Sequence, residues 1–146
     1  IAEKVKLLGT VRCLDSNLYK KMPKWIEQIV QNIASNYGAK ALINFKSIAP
    51  PVYNDPELTN LLSTCAKNFI DEKNIVYLEN PSLGAEDFAF FLQDVPGTMF
   101  RLGVAGTSGC APLHSGNFSL DESSLALGIK ILAQTIIMST EKVQKN

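Results

Sequence analysis

The spacing of apolar residues predicts a strand, a helix and a second strand at the start of the chain. Apolar and polar side chains alternate across residues 4–12, as in a half-buried β-strand. From Leu18 to Tyr37 the apolar positions recur every third or fourth residue, which predicts one amphipathic helix. Gly38 follows where a left-handed helix cap belongs. Alternation returns at residues 40–48, so the pattern indicates a strand–helix–strand unit.

Such a unit leaves its sheet edges without partners. A two-stranded sheet with one helix is marginally stable on its own. We therefore expect partner strands from residues outside this chain or from another subunit.

Two prolines then mark a change of region. Pro50 and Pro51 stiffen an extended connector, because each proline fixes its own φ and disfavours helix in the residue before it. We place a domain boundary here, with a partial domain at residues 1–49 and a second one at 50–146.

The second region alternates between helices and short apolar runs. Asp55 and Pro56 have the residue types of an N-cap and a first helical position. Strands are predicted at 75–78 and 98–104, with a short helix at 86–93 between them and a last helix that begins at Asp121. This order predicts an α/β sheet layer. The predicted buried positions of the first helix are Leu58, Leu61, Leu62, Cys65 and Phe69, and the last helix carries Leu125, Ile129, Leu132, Ala133 and Ile136 on one face.

The amino-acid composition argues against nucleic acid and membranes as binding partners. Fourteen Lys+Arg balance fourteen Asp+Glu, so no net charge draws the chain to nucleic acid or to an anionic membrane surface. An apolar content of 46% is enough for a buried core. Gly128, Lys130 and Gln134 interrupt the most apolar helix, and we expect no membrane span.

The cysteines indicate the cellular compartment of the protein, and the first residues indicate where the chain begins within its gene product. Cys13, Cys65 and Cys110 are odd in number and form no C-x-x-C pair, which fits a reducing compartment and predicts the cytoplasm. Charged residues such as Lys4 interrupt any signal-like apolar segment after Ile1. We expect the chain to start inside a longer one.

His114 is the single histidine and lies between a small-residue loop and the last helix. A lone histidine is more often a hydrogen-bonded structural residue than a ligand. Loops at strand ends are, however, where α/β sheets place their sites, and an imidazole there can offer one nitrogen to a metal. A zinc site requires three or four ligands, so residues outside the chain would have to complete it.

The segment Gly84–Asp87 and the residue Arg12 each allow both a structural role and a role in binding substrate. Glu86 and Asp87 follow Gly84 at a predicted helix start, where carboxylates stabilise the helix N-terminus; alternatively, Gly84 lets substrate approach the backbone while a carboxylate fixes the loop. Arg12 ends the first predicted strand. Its guanidinium is either a solvated charge or the partner of a substrate carboxylate.

Taken in order, these segments resemble one family. The chain is similar to the C-terminal part of the bacterial and plant N-acyl-amino-acid amidohydrolases, two-metal peptidases that include hippurate hydrolase, acetyldiaminopimelate deacetylase and auxin-conjugate hydrolases. The segments that carry the resemblance are Gly9–Arg12, Gly84–Leu92 with Val95–Gly97 and Phe100–Gly103, and Pro112–Ser115 running to Asp121 and Glu122.

The resemblance implies a two-domain α/β architecture. Residues 1–49 would be the second half of a ferredoxin-like lid, and 50–146 would be the C-terminal part of the catalytic domain. It also implies a homodimer formed through the lid and an N-terminal remainder of the parent chain as a partner.

The resemblance further implies roles for individual residues. His114 would be the last metal ligand, Arg12 would contact the substrate carboxylate, and Gly84 and Glu86 would line the pocket. Two divalent ions, of zinc, manganese or nickel, would polarise the amide carbonyl of an N-acyl amino acid and activate water, with a glutamate outside this chain as general base. With His114 as the chain's one matching ligand, we expect the chain alone to be inactive.

A rival hypothesis comes from another class of protein. The chain would then be a non-catalytic α/β interaction module, or a degenerate subunit, that binds a partner through an exposed sheet edge. The coding sequence upstream of Ile1 separates the two hypotheses. The acyl group and the amino acid of the substrate stay open.

Overall fold

A computed structural model describes residues 2–46 and 49–143, with side chains up to residue 140. Within these ranges the helices are α1 (Ser16–Asn36), α2 (Pro56–Ala66), a 3-10 helix (Glu72–Asn74), α3 (Phe88–Phe91) and α4 (Ser123–Val143). The chain divides into two compact units. Unit 1 holds the described residues up to Val52 together with Glu79–Phe90, and unit 2 holds Tyr53–Leu78 and the described residues from Phe91 onward.

Local signals at both ends define α1 in unit 1. The Asp15 carboxylate accepts the backbone N–H of Leu18 at 2.9 Å, which satisfies a donor that the first helical turn leaves unpaired. At the other end Gly38 has a φ of 67°, and the N–H of Ala39 donates to the carbonyl of Ala34 at 2.9 Å. This is a Schellman motif. The predicted helix and its glycine cap are confirmed.

The two predicted strands on either side of α1 are not confirmed. Residues 4–12 and 40–46 have no regular secondary structure, and residues 47 and 48 lie outside the described part of the chain. Leu7 is 90% exposed and Leu42 is fully exposed, so neither covers a sheet. An extended segment is stabilised by backbone hydrogen bonds to a neighbouring strand, and the described part of unit 1 supplies no such neighbour.

In unit 2, α2 begins as its sequence predicts. The Asp55 carboxylate accepts the N–H of Leu58 at 2.9 Å, and Pro56 occupies the first helical turn. Leu61, Leu62 and Cys65 are buried as predicted. Of the remaining predicted positions, Leu58 is half-buried and Phe69 is exposed.

The core of unit 2 forms between α2 and α4. Leu62 and Ala66 of α2 are buried in one cluster with Ile131 of α4, and Ile75, Phe100 and Leu127 pack against its edge. Burial of each large aliphatic side chain contributes about 1.5–3 kcal/mol. This cluster therefore holds the two helices together.

The apolar face that the sequence predicts for α4 is not the face that packs against α2. Leu125, Ile129 and Ile136 are at least half exposed, whereas Ile131 is 2% exposed and Gly128 is buried. A Cβ atom added at Gly128 would lie 3.0 Å from Leu102 Cδ2, so the glycine permits a close approach on this side. Because α4 is apolar around most of its surface, spacing alone does not select the face that packs.

The predicted strands at 75–78 and 98–104 are not formed in the described residues either. Instead, the side chain of Asn54 pairs with the backbone of Met99: its Nδ2 donates to the Met99 carbonyl at 2.8 Å and its Oδ1 accepts the Met99 N–H at 2.9 Å. The N–H of Asp55 also donates to the carbonyl of Gly97 at 2.8 Å. These bonds occupy backbone groups that a neighbouring strand would otherwise use.

The length and composition of α4 are relevant to whether this helix could span a lipid bilayer. The segment Ser123–Thr140 is long and apolar enough to cross a bilayer. Core helices of globular proteins pass the same test, although they are mostly buried and 11% of this segment is buried; α4 packs against α2 through Ile131. Length and composition are therefore weak evidence for a span.

Candidate functional site

His114 lies on a loop of unit 2 whose ends are tied together. The N–H of Asp121 donates to the carbonyl of Val104 at 2.9 Å and closes the base of the loop. Further along, the Cys110 thiol donates to the carbonyl of Ser119 at 3.0 Å. A compact loop with adjoining ends is typical of the surface loops that carry functional residues.

The backbone at His114 is unusual. The N–H of Ser115 donates to the carbonyl of Pro112 at 3.1 Å, which makes His114 the third residue of a β-turn. Its φ is 68°, the one positive value among the described non-glycine residues. A type II turn requires positive φ at this position and usually has glycine or asparagine there. A side chain held in this region at a cost in free energy is often functional.

The imidazole of His114 is exposed. Among the described residues, no group of three or more His, Cys, Asp and Glu side chains is placed to hold a metal ion. Three protein ligands are the minimum for a catalytic zinc site. The described residues therefore do not form a complete metal centre by themselves.

Asp121 connects the His114 loop to α4. Its carboxylate accepts the N–H of Ser123 at 2.9 Å, as a helix cap does. Hydrogen bonds from the side chain and then the backbone of Ser123 hold the pKa of the Asp121 carboxyl below its ordinary value. A Cβ added at Gly106 would lie 3.3 Å from Asp121 Oδ2, so the loop base is close-packed. Asp121 therefore caps α4, which begins at Ser123, two residues after the predicted start.

Gly84 and Glu86 lie in unit 1, on the segment that leads into α3. The Gly84 N–H donates to Ser82 Oγ at 3.1 Å. The Glu86 carboxylate accepts the N–H of Phe88 at 3.3 Å, and its carbonyl accepts the N–H of Ala89 at 3.2 Å. Glu86 therefore makes the helix-start contacts of the first interpretation, and Gly84 is exposed.

Arg12 contacts this same segment. Its Nη1 donates to the carbonyl of Leu83 at 3.0 Å, although the two residues are 71 positions apart. The structure thus brings together Arg12 and the Gly84–Glu86 loop within unit 1, and it places His114 in unit 2. The sequence alone does not predict this contact, because two residues 71 positions apart share no local pattern.

A surface depression of about 300 Å³ lies in unit 2. Tyr53, Asp55 and residues 92–97 line it. None of the predicted site residues is among them, so this depression adds nothing to the candidate site.

The sequence and this geometry can be compared with known proteins. Residues 9–138 match the model of peptidase family M20/M25/M40. The chain belongs to this family. The resemblance to metal-dependent amidohydrolases and related peptidases is thereby confirmed, and M20 peptidases generally depend on divalent metals.

Several relatives are similar over most of the chain. A probable hydrolase of Synechocystis sp. is 39% identical over 91% of this chain and 34% of its own length. Thermostable carboxypeptidase 1 of Saccharolobus solfataricus is 37% identical over 88% of this chain and 32% of its own length. An N-acetyldiaminopimelate deacetylase of Geobacillus sp. is 36% identical over 93% of this chain and 35% of its own length. These names are those of hydrolases.

The chain spans about a third of the length of these curated relatives. No solved structure matches it.

Proposed function

We propose that this chain is the C-terminal portion of a metal-dependent amidohydrolase that cleaves the amide bond of N-acyl amino acids. The match to the family over residues 9–138 supports the reaction class. The names of two relatives support the substrate class. An N-acetyldiaminopimelate deacetylase and a carboxypeptidase both hydrolyse an amide whose nitrogen belongs to an amino acid with a carboxylate.

The observation that carries the proposal is the backbone of His114. An exposed imidazole in a left-handed conformation, on a loop tied at its base, is presented to a ligand rather than packed in a core. We propose His114 as one ligand of a centre of two divalent ions, of zinc, manganese or nickel. The other ligands would come from outside this chain, so the chain alone would be inactive.

Arg12, Gly84 and Glu86 have proposed roles in binding substrate. A guanidinium has five N–H donors in a planar fork, and the contact to Leu83 uses one nitrogen. The remaining donors suit a substrate carboxylate. Gly84 and Glu86 belong to the loop next to this group, where Gly84 leaves room for substrate to approach the backbone.

The domain roles also belong to this proposal. Residues 1–49 would complete a ferredoxin-like lid that forms a homodimer, and 50–146 would complete the catalytic domain. The complete protein would act in the cytoplasm.

The exposed apolar side chains of unit 2 support completion by residues outside the chain, because a contiguous apolar surface of this kind is normally covered. On α4 these side chains are Leu125, Ile129, Leu132, Ile136 and Ile137.

The test is an assay of the protein that contains this chain against a panel of N-acyl amino acids, before and after a chelator and with metal restored. We expect hydrolysis that the chelator abolishes and metal restores. The matching amides without a carboxylate serve as the control substrates. Absence of hydrolysis across the panel in metal-loaded protein would reject the proposed substrate class.

A further inference from the structure

We infer that Arg12 is a positioning residue for the loop of residues 82–86, and that it couples recognition of a substrate carboxylate to the order of that loop. The inference rests on the proposed function for the identity of the ligand. Its structural part, the positioning of the loop by Arg12, can be measured without substrate.

One peptide group of the loop is held from both sides. The carbonyl of Leu83 accepts Arg12 Nη1 at 3.0 Å, and the N–H of Gly84 donates to Ser82 Oγ at 3.1 Å. These two atoms belong to the same planar peptide unit. The side chains of Arg12 and Ser82 together therefore determine the orientation of the Leu83–Gly84 peptide.

The loop is anchored again where it enters α3. Glu86 accepts the N–H of Phe88 at 3.3 Å, and Ala89 is 1% exposed. The residues between this anchor and Ser82 are exposed. Leu83 itself is 51% exposed. The hydrogen bonds to Arg12 and Ser82 are the polar contacts that the described residues show for the Leu83–Gly84 peptide, and the one from Arg12 comes from outside the loop.

The chemistry of the guanidinium produces the coupling. Its donors lie in one plane at fixed angles, so a carboxylate bound to one edge fixes the direction of the donor that contacts Leu83. A ligand that orders Arg12 thereby orders the loop. By reciprocity, a loop that is already ordered raises the affinity of Arg12 for the carboxylate by the same factor.

Hydrogen exchange of the substrate-free protein that contains this chain tests the structural part. We expect Arg12→Ala to raise exchange of the Gly84 amide, which donates to Ser82 Oγ, by about tenfold with α1 unchanged, because the charge-assisted hydrogen bond to the carbonyl of the same peptide is lost. Arg12→Lys keeps one cation and should give a smaller rise. Lys6→Ala, which removes an exposed cation from the same segment, is the matched control. Unchanged exchange in Arg12→Ala, or a rise that includes α1, would overturn the inference.

Ser82→Ala tests the coupling without altering Arg12. It releases the other side of the same peptide, so KM for substrates with a carboxylate should rise several-fold while KM for carboxylate-free amides changes less. Equal KM changes for the two substrate types would refute the coupling. Failure of the proposed function gives a different result: no N-acyl amino acid is hydrolysed, whereas exchange of the Gly84 amide still responds to Arg12→Ala.

Discussion

Asn54 and Met99 are joined by two hydrogen bonds, of 2.8 and 2.9 Å, in which the side-chain amide of Asn54 pairs with the backbone of Met99. The Asn54 amide thus forms the two backbone hydrogen bonds that a neighbouring β-strand would form with Met99. It links the connector before α2 to the segment that leads toward the His114 loop, and both residues are half-buried.

Asn54→Ala should therefore destabilise unit 2. The substitution removes two hydrogen bonds to the half-buried backbone of Met99, and each such bond contributes about 0.5–1.5 kcal/mol. Urea unfolding followed by circular dichroism measures the loss. Asn60→Ala, at an exposed position of α2, is the matched control and should change the free energy of unfolding by less than about 0.5 kcal/mol.

Ile131 and Ile129 form a matched pair on α4. Ile131 is 2% exposed and Ile129 is 67% exposed. Ile131→Ala should cost about 2–5 kcal/mol, because it opens a cavity between α2 and α4. In the chain alone, Ile129→Ala should cost less than about 0.5 kcal/mol. In a longer parent protein that covers this face, Ile129→Ala should also be costly; equal small effects in both forms would argue against such a cover.

His114→Asn separates the proposed ligand role from a folding role. Asparagine tolerates positive φ, so the turn at Pro112–Ser115 should persist, but the imidazole is lost. We expect activity of the complete protein to fall by more than about 100-fold, since loss of a ligand's outer-shell partner alone costs about 10–100-fold. Metal content by mass spectrometry should fall as well. Full metal occupancy with normal turnover would exclude His114 as a ligand.

Arg12→Ala should act mainly on KM. Loss of a charge-assisted contact to a carboxylate corresponds to about 10–100-fold in binding. Steady-state kinetics with N-acyl amino acids and with the corresponding carboxylate-free amides measure the difference. An equal loss for both substrate types would contradict the proposed contact.

The pH dependence of α4 follows from Asp121. Hydrogen bonds from Ser123 lower the pKa of this carboxyl in the folded protein, so its stabilising effect is complete above the ordinary aspartate pKa and is lost as pH falls through the lowered one. The difference in unfolding midpoint between the wild type and Asp121→Ala should therefore be constant near neutral pH and shrink in acid. A difference that does not change with pH would show that the charge of Asp121 has no part in the cap.

Residues close together in sequence determined much of the local structure. Asp55 before Pro56 and the glycine after Tyr37 predicted helix ends that the structure confirms, because a cap depends on atoms within a few positions of each other. The ordered motifs also identified the family. His114 was predicted as a ligand from its motif, and its role stays a prediction.

Tertiary structure alone decided the rest. Strands need partners that are distant in sequence, so alternation at residues 4–12 predicted a strand that the described residues do not form. The buried face of α4 depends on where α2 packs against Ile131 and Leu102 approaches Gly128, since both faces are apolar enough to pack. The bond from Arg12 to Leu83 spans 71 positions and leaves no local pattern, so only the folded chain brings the guanidinium to the loop.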